Sequence, residues 1–458
     1  MKYKNFISIL LVFGFVTVLH SQNDKKLIKK VDTYLKEQFK SDQTGCSVLI
    51  SKKREVIYKK GFGLADLEMN VPNQPNTVFR LGSITKQFTA IAILQLVEKG
   101  ELSLQDSIQK FIPDFPSKDD KITIEHLLTH TSGIKEYLSL DHPDPFVLRR
   151  DFLPKEIIDF FKNEPLDFIP GSKRSYSNSG YIILGVIIEL VSGMNYEQYV
   201  EENLFEPSGM NNSYYDKYEA IIPNRAKGYE FQESKFMNSE FLSMTIAYAA
   251  GGLLSTVEDM YKWHQSLYSN KLVDNELLQK AFTSFKLNDG TETNYGYGWF
   301  IDNTINNKNI GHSGRISGFN SSEKYFVDDD LFVVVLCNLE DNGKSPTSIQ
   351  ALDKIVAILK GEKIKEVKVD EAILDSYKGL YTMEKDKSRI AEVKQKEGVF
   401  YIEEEGKWTS ELLATSESVF LLNDINPKGT LEFIKDTNGK VIKLVVNQNG
   451  LYEWYKIE

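Results

Sequence analysis

Only two of the 458 residues are cysteine, Cys46 and Cys337. That excludes a disulfide-stapled scaffold and any four-cysteine metal site. Both lie in apolar, strand-like runs, so buried free thiols are expected, with a Cys46–Cys337 disulfide as the lesser alternative. Runs of basic residues are also missing. At a net charge of −10, the chain lacks the electrostatic footprint of a nucleic-acid binder. Past the N-terminus no apolar run is long enough to cross a bilayer. The one apolar stretch, Phe6 to Leu19, follows Lys2 and Lys4 and is short for a span. It reads as a signal peptide over residues 1–22, with an uncleaved anchor as the alternative. No cysteine follows it, which disfavours a lipid-anchored form. The mature chain is therefore expected to be soluble and exported, periplasmic or secreted.

What is present is ordinary globular composition, 41% hydrophobic and 26% charged, in a chain long enough for more than one domain. Residues 24–40 space Leu27, Ile28, Val31, Leu35 and Phe39 as an amphipathic helix. The runs 46–51 and 56–63 then form a β-hairpin. Residues 79–100, FRLGSITKQFTAIAILQLVEKG, read as a buried helix with Ser83 at its start and Gly100 as its stop. Lys86 lies three residues on, so its ammonium shares a helical face with the Ser83 hydroxyl. The helix N-terminus adds unpaired N–H groups beside an oxygen that must become anionic in acyl transfer. Ser-x-x-Lys alone means little, because it also occurs at Ser107, Ser132 and Ser321. Only the Ser83 copy opens a long apolar helix.

Three further stretches carry chemistry-bearing residues. In KITIEHLLTHTSGI (121–134), His126 and His130 stand four apart on one helical face. Zinc would need a glutamate where Leu127 stands and a third ligand, so packing and capping are the preferred roles, and neither metal nor cofactor is expected. In FIPGSKRSYSNSGYIILGVIIELVSG (168–193), Tyr176 and Asn178 sit on a loop ahead of a buried helix. A second YSN at 268–270 merely ends the helix of Val257, Met260, Trp263 and Leu267, whose start signal is Ser255 with Glu258. From Tyr295 the chain parses as three strands, with Gly311, Gly314 and Gly318 around His312 leaving a strand edge open to close approach. The commoner fate of such a segment is a glycine-rich turn with a surface histidine. After a charged connection at 361–369, residues 370–458 show short alternating runs and a DTNG turn, a separate small antiparallel β domain. It holds neither histidine nor cysteine, so the chemistry is expected within 23–360.

SITK at 83, YSN at 176 and HSG at 312, in that order, resemble the active-site motifs of the serine β-lactamase and penicillin-binding protein superfamily. The class C-like group, with its D-alanyl-D-alanine carboxypeptidase, D-aminopeptidase and esterase relatives, is the nearest likeness. HLLTHTSG, GGLLSTVEDMYKW and YGYGW are also similar to stretches of that family, and the likeness covers roughly residues 25–350. The tail resembles the lipocalin-like β domain appended to such hydrolases. The implied fold is an α/β (α+β) domain, an antiparallel sheet flanked by helices with an inserted helical domain, followed by a small antiparallel barrel.

The resemblance implies residue roles. Ser83 would be the acylated nucleophile, Lys86 its activating neighbour, and Tyr176 a proton relay whose phenol needs cationic neighbours to serve as a base. Asn178 would bind the substrate amide. The backbone N–H groups of Ser83 and Arg315 would form the oxyanion hole, and His312, Ser313 and Gly314 would line the substrate. Many β-lactamases have Lys-Thr-Gly where this chain has His312-Ser313-Gly314, which puts efficient β-lactam hydrolysis in doubt. There His312 would meet a substrate carboxylate when protonated, and Arg315 would restore missing charge. The resulting expectation is an exported serine hydrolase of small amides or esters, with peptidoglycan-type D-amino-acid peptides, cell-wall fragments or β-lactams as candidate ligands. An esterase of the same fold, or a sensor that is acylated without turnover, are the alternatives.

Overall fold

The computed structural model describes residues 25–457 apart from 117–119, 143, 145, 234, 303–307, 341–346, 362–366, 385, 397, 423–428, 437–438 and 448–450. The signal segment, most of the 361–369 connection and the centre of the DTNG turn lie outside the described residues. Two compact units divide between Leu352 and Asp353. This division falls inside the helix Ser348–Lys360, upstream of the charged connection at which the composition changes.

In the first unit, an antiparallel sheet orders its strands Phe300–Asp302, Asn309–Ile316, Phe319–Phe326, Leu331–Cys337, Cys46–Lys52 and Glu55–Phe62. The first strand in sequence, Cys46–Lys52, thus pairs with the last, Leu331–Cys337. Leu331–Cys337 is buried along its whole length, as a central strand covered on both faces must be, and its run of Val, Leu and Phe suits that place. Cys46 and Cys337 are register partners on neighbouring strands, and both are free, buried thiols.

Between the second and third of these strands in sequence, Glu55–Phe62 and Phe300–Asp302, runs the helical region that the resemblance implies. It includes Thr85–Glu98, Pro154–Phe161, Asn178–Ser192, Met244–Gly251 and Val257–Leu267. From Thr85 to Leu96 every residue is buried. With apolar residues on every side of it and no charged stripe, the helix has no solvent face and sits inside the core. Gly100 stops it at φ +74°, where a left-handed conformation suits glycine. Phe88 stacks on Trp263 at 4.0 Å between ring centroids, which ties this helix to Val257–Leu267. The cap of the latter is Thr256, whose hydroxyl accepts from Asp259 N at 3.1 Å, one residue beyond the Ser255–Glu258 pair read from sequence.

Eight antiparallel strands between Gly379–Met383 and Leu451–Lys456 close the second unit into a barrel. Burial alternates along them, as in eBeBie over Thr430–Lys435, because successive side chains face opposite sides of the wall. Tyr377 and Phe433 stack at 4.0 Å in its core. Glu404 is buried there but satisfied, with Arg389 at 2.9 and 2.7 Å, Lys407 at 2.7 Å and Trp408 Nε1 at 2.9 Å.

Candidate active site

Ser83 lies on a short 3-10 turn, Gly82–Ile84, that leads into the buried helix Thr85–Glu98. Between Leu81 and Leu96 it is the one residue that is not buried, so the serine is where the core helix reaches the surface. Gly82 makes the turn possible. Its φ is +52°, and a Cβ there would stand 3.0 Å from Arg315 N. From the other side the strand Asn309–Ile316 presses Gly314 against Ser83 N, 2.9 Å from where a Cβ would be. The two glycines bring the backbone at Ser83 and Arg315 together.

Lys86 is fully buried. Its Nζ donates to Ser83 Oγ at 3.1 Å, Asn178 Oδ1 at 2.8 Å and Ala250 O at 2.8 Å. Burial, opposed in part by the charge of Glu136, brings its pKa down to about 7, since a desolvated ammonium gives up its proton more readily. The Ala250 carbonyl reaches it because the helix Met244–Gly251 is broken at Tyr248, φ 38°. A Cβ on Gly185 would come 2.4 Å from the Tyr248 ring, so the break has room only beside a glycine. Asn178 is the first residue of the helix Asn178–Ser192, not part of the loop before it. Its Nδ2 donates to Glu136 Oε1 at 3.1 Å, and its backbone N–H donates to Glu136 as well. The amide is thus turned to Lys86 and Glu136, which suits positioning of the lysine better than the substrate contact read from the resemblance.

The Tyr176 ring lies 4.8 Å from Lys86 Nζ. Its hydroxyl oxygen is buried and has no hydrogen-bond partner among the described residues. Burial pushes this phenol up, while the nearby Ser83 hydroxyl and the Arg174 charge pull it back. His130 packs against Tyr176, its ring tilted at 35° with 4.2 Å between centroids, and is buried, with its Nδ1 accepting from Ser177 N at 3.1 Å. The helix carrying His126 ends at Leu128, and His130 follows it at φ +58°. The two histidines therefore do not share a helical face. His126 closes a capping box with Thr123, and among the described residues no cluster of His, Cys, Asp and Glu suits a metal ion.

His312 is 4% exposed, not a surface residue. Its Nδ1 donates to Ser313 O at 2.5 Å and its Nε2 lies 3.1 Å from the Tyr295 hydroxyl, so in the neutral ring the proton sits on Nδ1 and Nε2 accepts from Tyr295. Burial, then the charge of Lys86, lowers its pKa to about 3. It therefore supplies no cation near neutral pH. Nor does Arg315 turn inward. Its exposed guanidinium pairs with Glu340 at 3.3 Å.

The structure thus gathers Ser83, Lys86, Tyr176, Asn178, His312 and Gly314, with the Ser313 backbone, and turns the Arg315 side chain away. Sequence reading missed Glu136 and Arg174, and gave His130 a packing or capping role without placing it beside Tyr176. Arg174 stands two residues before Tyr176, inside the motif already singled out. Glu136 gave no signal, since its partner Asn178 is 42 residues away.

The chain is 28% identical over 431 residues to "Penicillin-binding protein 4*" of Bacillus subtilis (strain 168), covering 88% of this chain and 93% of that protein. It matches the octameric penicillin-binding protein homologue from Pyrococcus abyssi at TM-score 0.64 and 30% identity, over 93% of this chain and 99% of that one. The D-amino acid amidase from Ochrobactrum anthropi SV3 shares the fold at TM-score 0.64 and 23% identity, over 73% of this chain and 98% of that one. Residues 27–357 match the profile of the family described as Beta-lactamase. Since that match spans most of the chain and takes in the Ser83 turn, the 176–178 loop end and the His312 strand alike, this protein belongs to the beta-lactamase family of serine hydrolases.

Proposed function

We propose that the chain is an exported acyl hydrolase working through a Ser83 acyl-enzyme on small amides or esters, with peptidoglycan-type D-amino-acid peptides as the substrate class. The observation that carries this reading is the Ser83–Lys86 pair. A base with a pKa of about 7 stands 3.1 Å from the hydroxyl it must deprotonate, close to the ideal for general-base catalysis at neutral pH. Export rests on the charged-then-apolar pattern of residues 1–22.

In this mechanism neutral Lys86 takes the Ser83 proton as Oγ attacks the scissile carbonyl. The oxyanion that forms lies at the backbone N–H groups of Ser83 and Arg315, where water-excluded dipoles act strongly. Tyr176, whose neutral phenol has its oxygen unpaired, passes a proton to the leaving group. The leaving bond breaks and the acyl-enzyme remains. A water then attacks the ester and gives its proton to the Tyr176 phenolate, while the Lys86 ammonium returns its proton to Ser83 Oγ as the acyl bond breaks, so the acid product leaves and both groups are restored. Glu136 and Asn178 hold the Lys86 ammonium without contacting substrate.

Parallel intact-mass labelling with a fluorophosphonate and a penicillin tests this. Wild type should gain the fluorophosphonate mass on Ser83, and Ser83→Ala should gain none, while Ser107→Ala and Ser132→Ala label normally. Labelling that survives in Ser83→Ala overturns the assignment. A penicillin adduct that never clears would select the sensor reading over the enzyme.

A further inference from the structure

We propose that Arg174 is an anion subsite beside Ser83, and that the substrate carries a free carboxylate held there. This deepens the acyl-hydrolase reading and rests on it.

The guanidinium is unpaired where arginines of this chain are ordinarily paired. Arg80 and Arg225 bind Asp216, Arg149 binds Glu240, Arg150 binds Asp144, Arg315 binds Glu340 and Arg389 binds Glu404. Arg54 is exposed to solvent. Arg174, half-buried, has no ion pair or hydrogen bond among the described residues. Its contacts are instead two ring faces, Tyr295 and Phe300, each 5.8 Å from the guanidinium carbon. Ring faces attract a cation but leave its charge and its forked donors unused.

Its position is that of a substrate group. Phe300 and Tyr295 are the same rings that flank His312, at 4.9 and 5.9 Å. The charge of Arg174 reaches Tyr176, His130 and His312, so it is felt by the groups gathered near the nucleophile. The other candidate cations are excluded in turn. His312 is neutral, Arg315 is paired away from the site, and Lys86 is directed at Ser83 and Asn178. A desolvated guanidinium in a chain of net charge −10 is retained at a cost unless an anion completes it, and its planar fork matches a carboxylate bidentately.

The probes are N-acetyl-D-alanine and its neutral counterpart N-acetyl-D-alaninamide, titrated by ligand-observed NMR against the full chain carrying Ser83→Ala. This background allows binding to be read whether or not either compound turns over. The carboxylate is expected to bind about tenfold more tightly than the amide, as a charge-assisted pair allows. Arg174→Gln in the same background should erase that preference, and Arg174→Lys should keep part of it. Should Arg174→Gln fail to fold, Arg174→Met keeps the apolar stem on the two rings and serves the same comparison. Equal binding of both probes, or a preference that survives the loss of the guanidinium, overturns the proposal. Failure of the wild-type protein to be labelled by fluorophosphonate would instead strike the acyl-enzyme reading and leave the binding comparison standing.

Discussion

Gly314 lies flat against the turn that carries Ser83. A Cβ added to it would stand 2.0 Å from Leu81 O and 2.9 Å from Ser83 N. Both are backbone atoms, so neither can swing away as a flexible side chain could. The face of the strand at this position is therefore covered by the protein's own backbone.

Gly314→Ala is accordingly expected to lower stability by about 1–3 kcal/mol, the usual range for overpacking. It should also lower the rate of Ser83 labelling severalfold, because the oxyanion donors lose their spacing. Thermal unfolding and labelling kinetics check both effects, and a variant with wild-type labelling shows that the spacing is unimportant.

Activity should follow the state of Lys86. Its pKa in the fold is about 7, and the neutral amine is the base, so kcat/KM should rise with pH through about 7 and level off above it. The Glu136 charge holds this pKa up. Glu136→Gln should therefore move the acid limb to lower pH, apart from any loss caused by a misplaced Asn178. A limb that stays in place or moves upward contradicts the role given to Glu136.

His312 should stay neutral throughout. With its pKa lowered to about 3, nitrogen-15 NMR between pH 5 and 8 is expected to show one unchanging Nδ1–H tautomer. The pH profiles of a carboxylate substrate and its methyl ester should then show no separate histidine step near 6.5. Observation of that step in the carboxylate alone would return the anion-binding role to His312.

The barrel should be dispensable for the chemistry. Removing residues 370–458 is expected to leave a folded protein that labels at Ser83, since every residue assigned to the site precedes them. Circular dichroism and intact-mass labelling decide it. A folded but unreactive truncation would mean that the tail contributes to the site.

The Thr85–Glu98 helix, the hairpin of Cys46–Lys52 and Glu55–Phe62, and the alternating strands of the tail were legible in sequence because each is a local matter of periodicity and turn residues. So was the candidate nucleophile, since only one of the four Ser-x-x-Lys copies opens a long, mainly apolar helix. What the sequence could not decide is which groups are charged and which way they face. His312 looked like a titrating surface residue until the fold enclosed it between Tyr295 and the Ser313 carbonyl. Arg315 looked like the spare cation until Glu340, 25 residues on, drew it outward. Glu136 and Arg174 became visible only when distant segments met around Lys86 and Tyr176. Burial and long-range electrostatics depend on what lies opposite a residue in space, and local spacing carries no record of that. The sequence by itself determined the main elements, the family motifs and the candidate serine. The tertiary structure decided the direction in which burial shifts Lys86 and His312, the partners of Asn178, and which arginine is paired with a carboxylate.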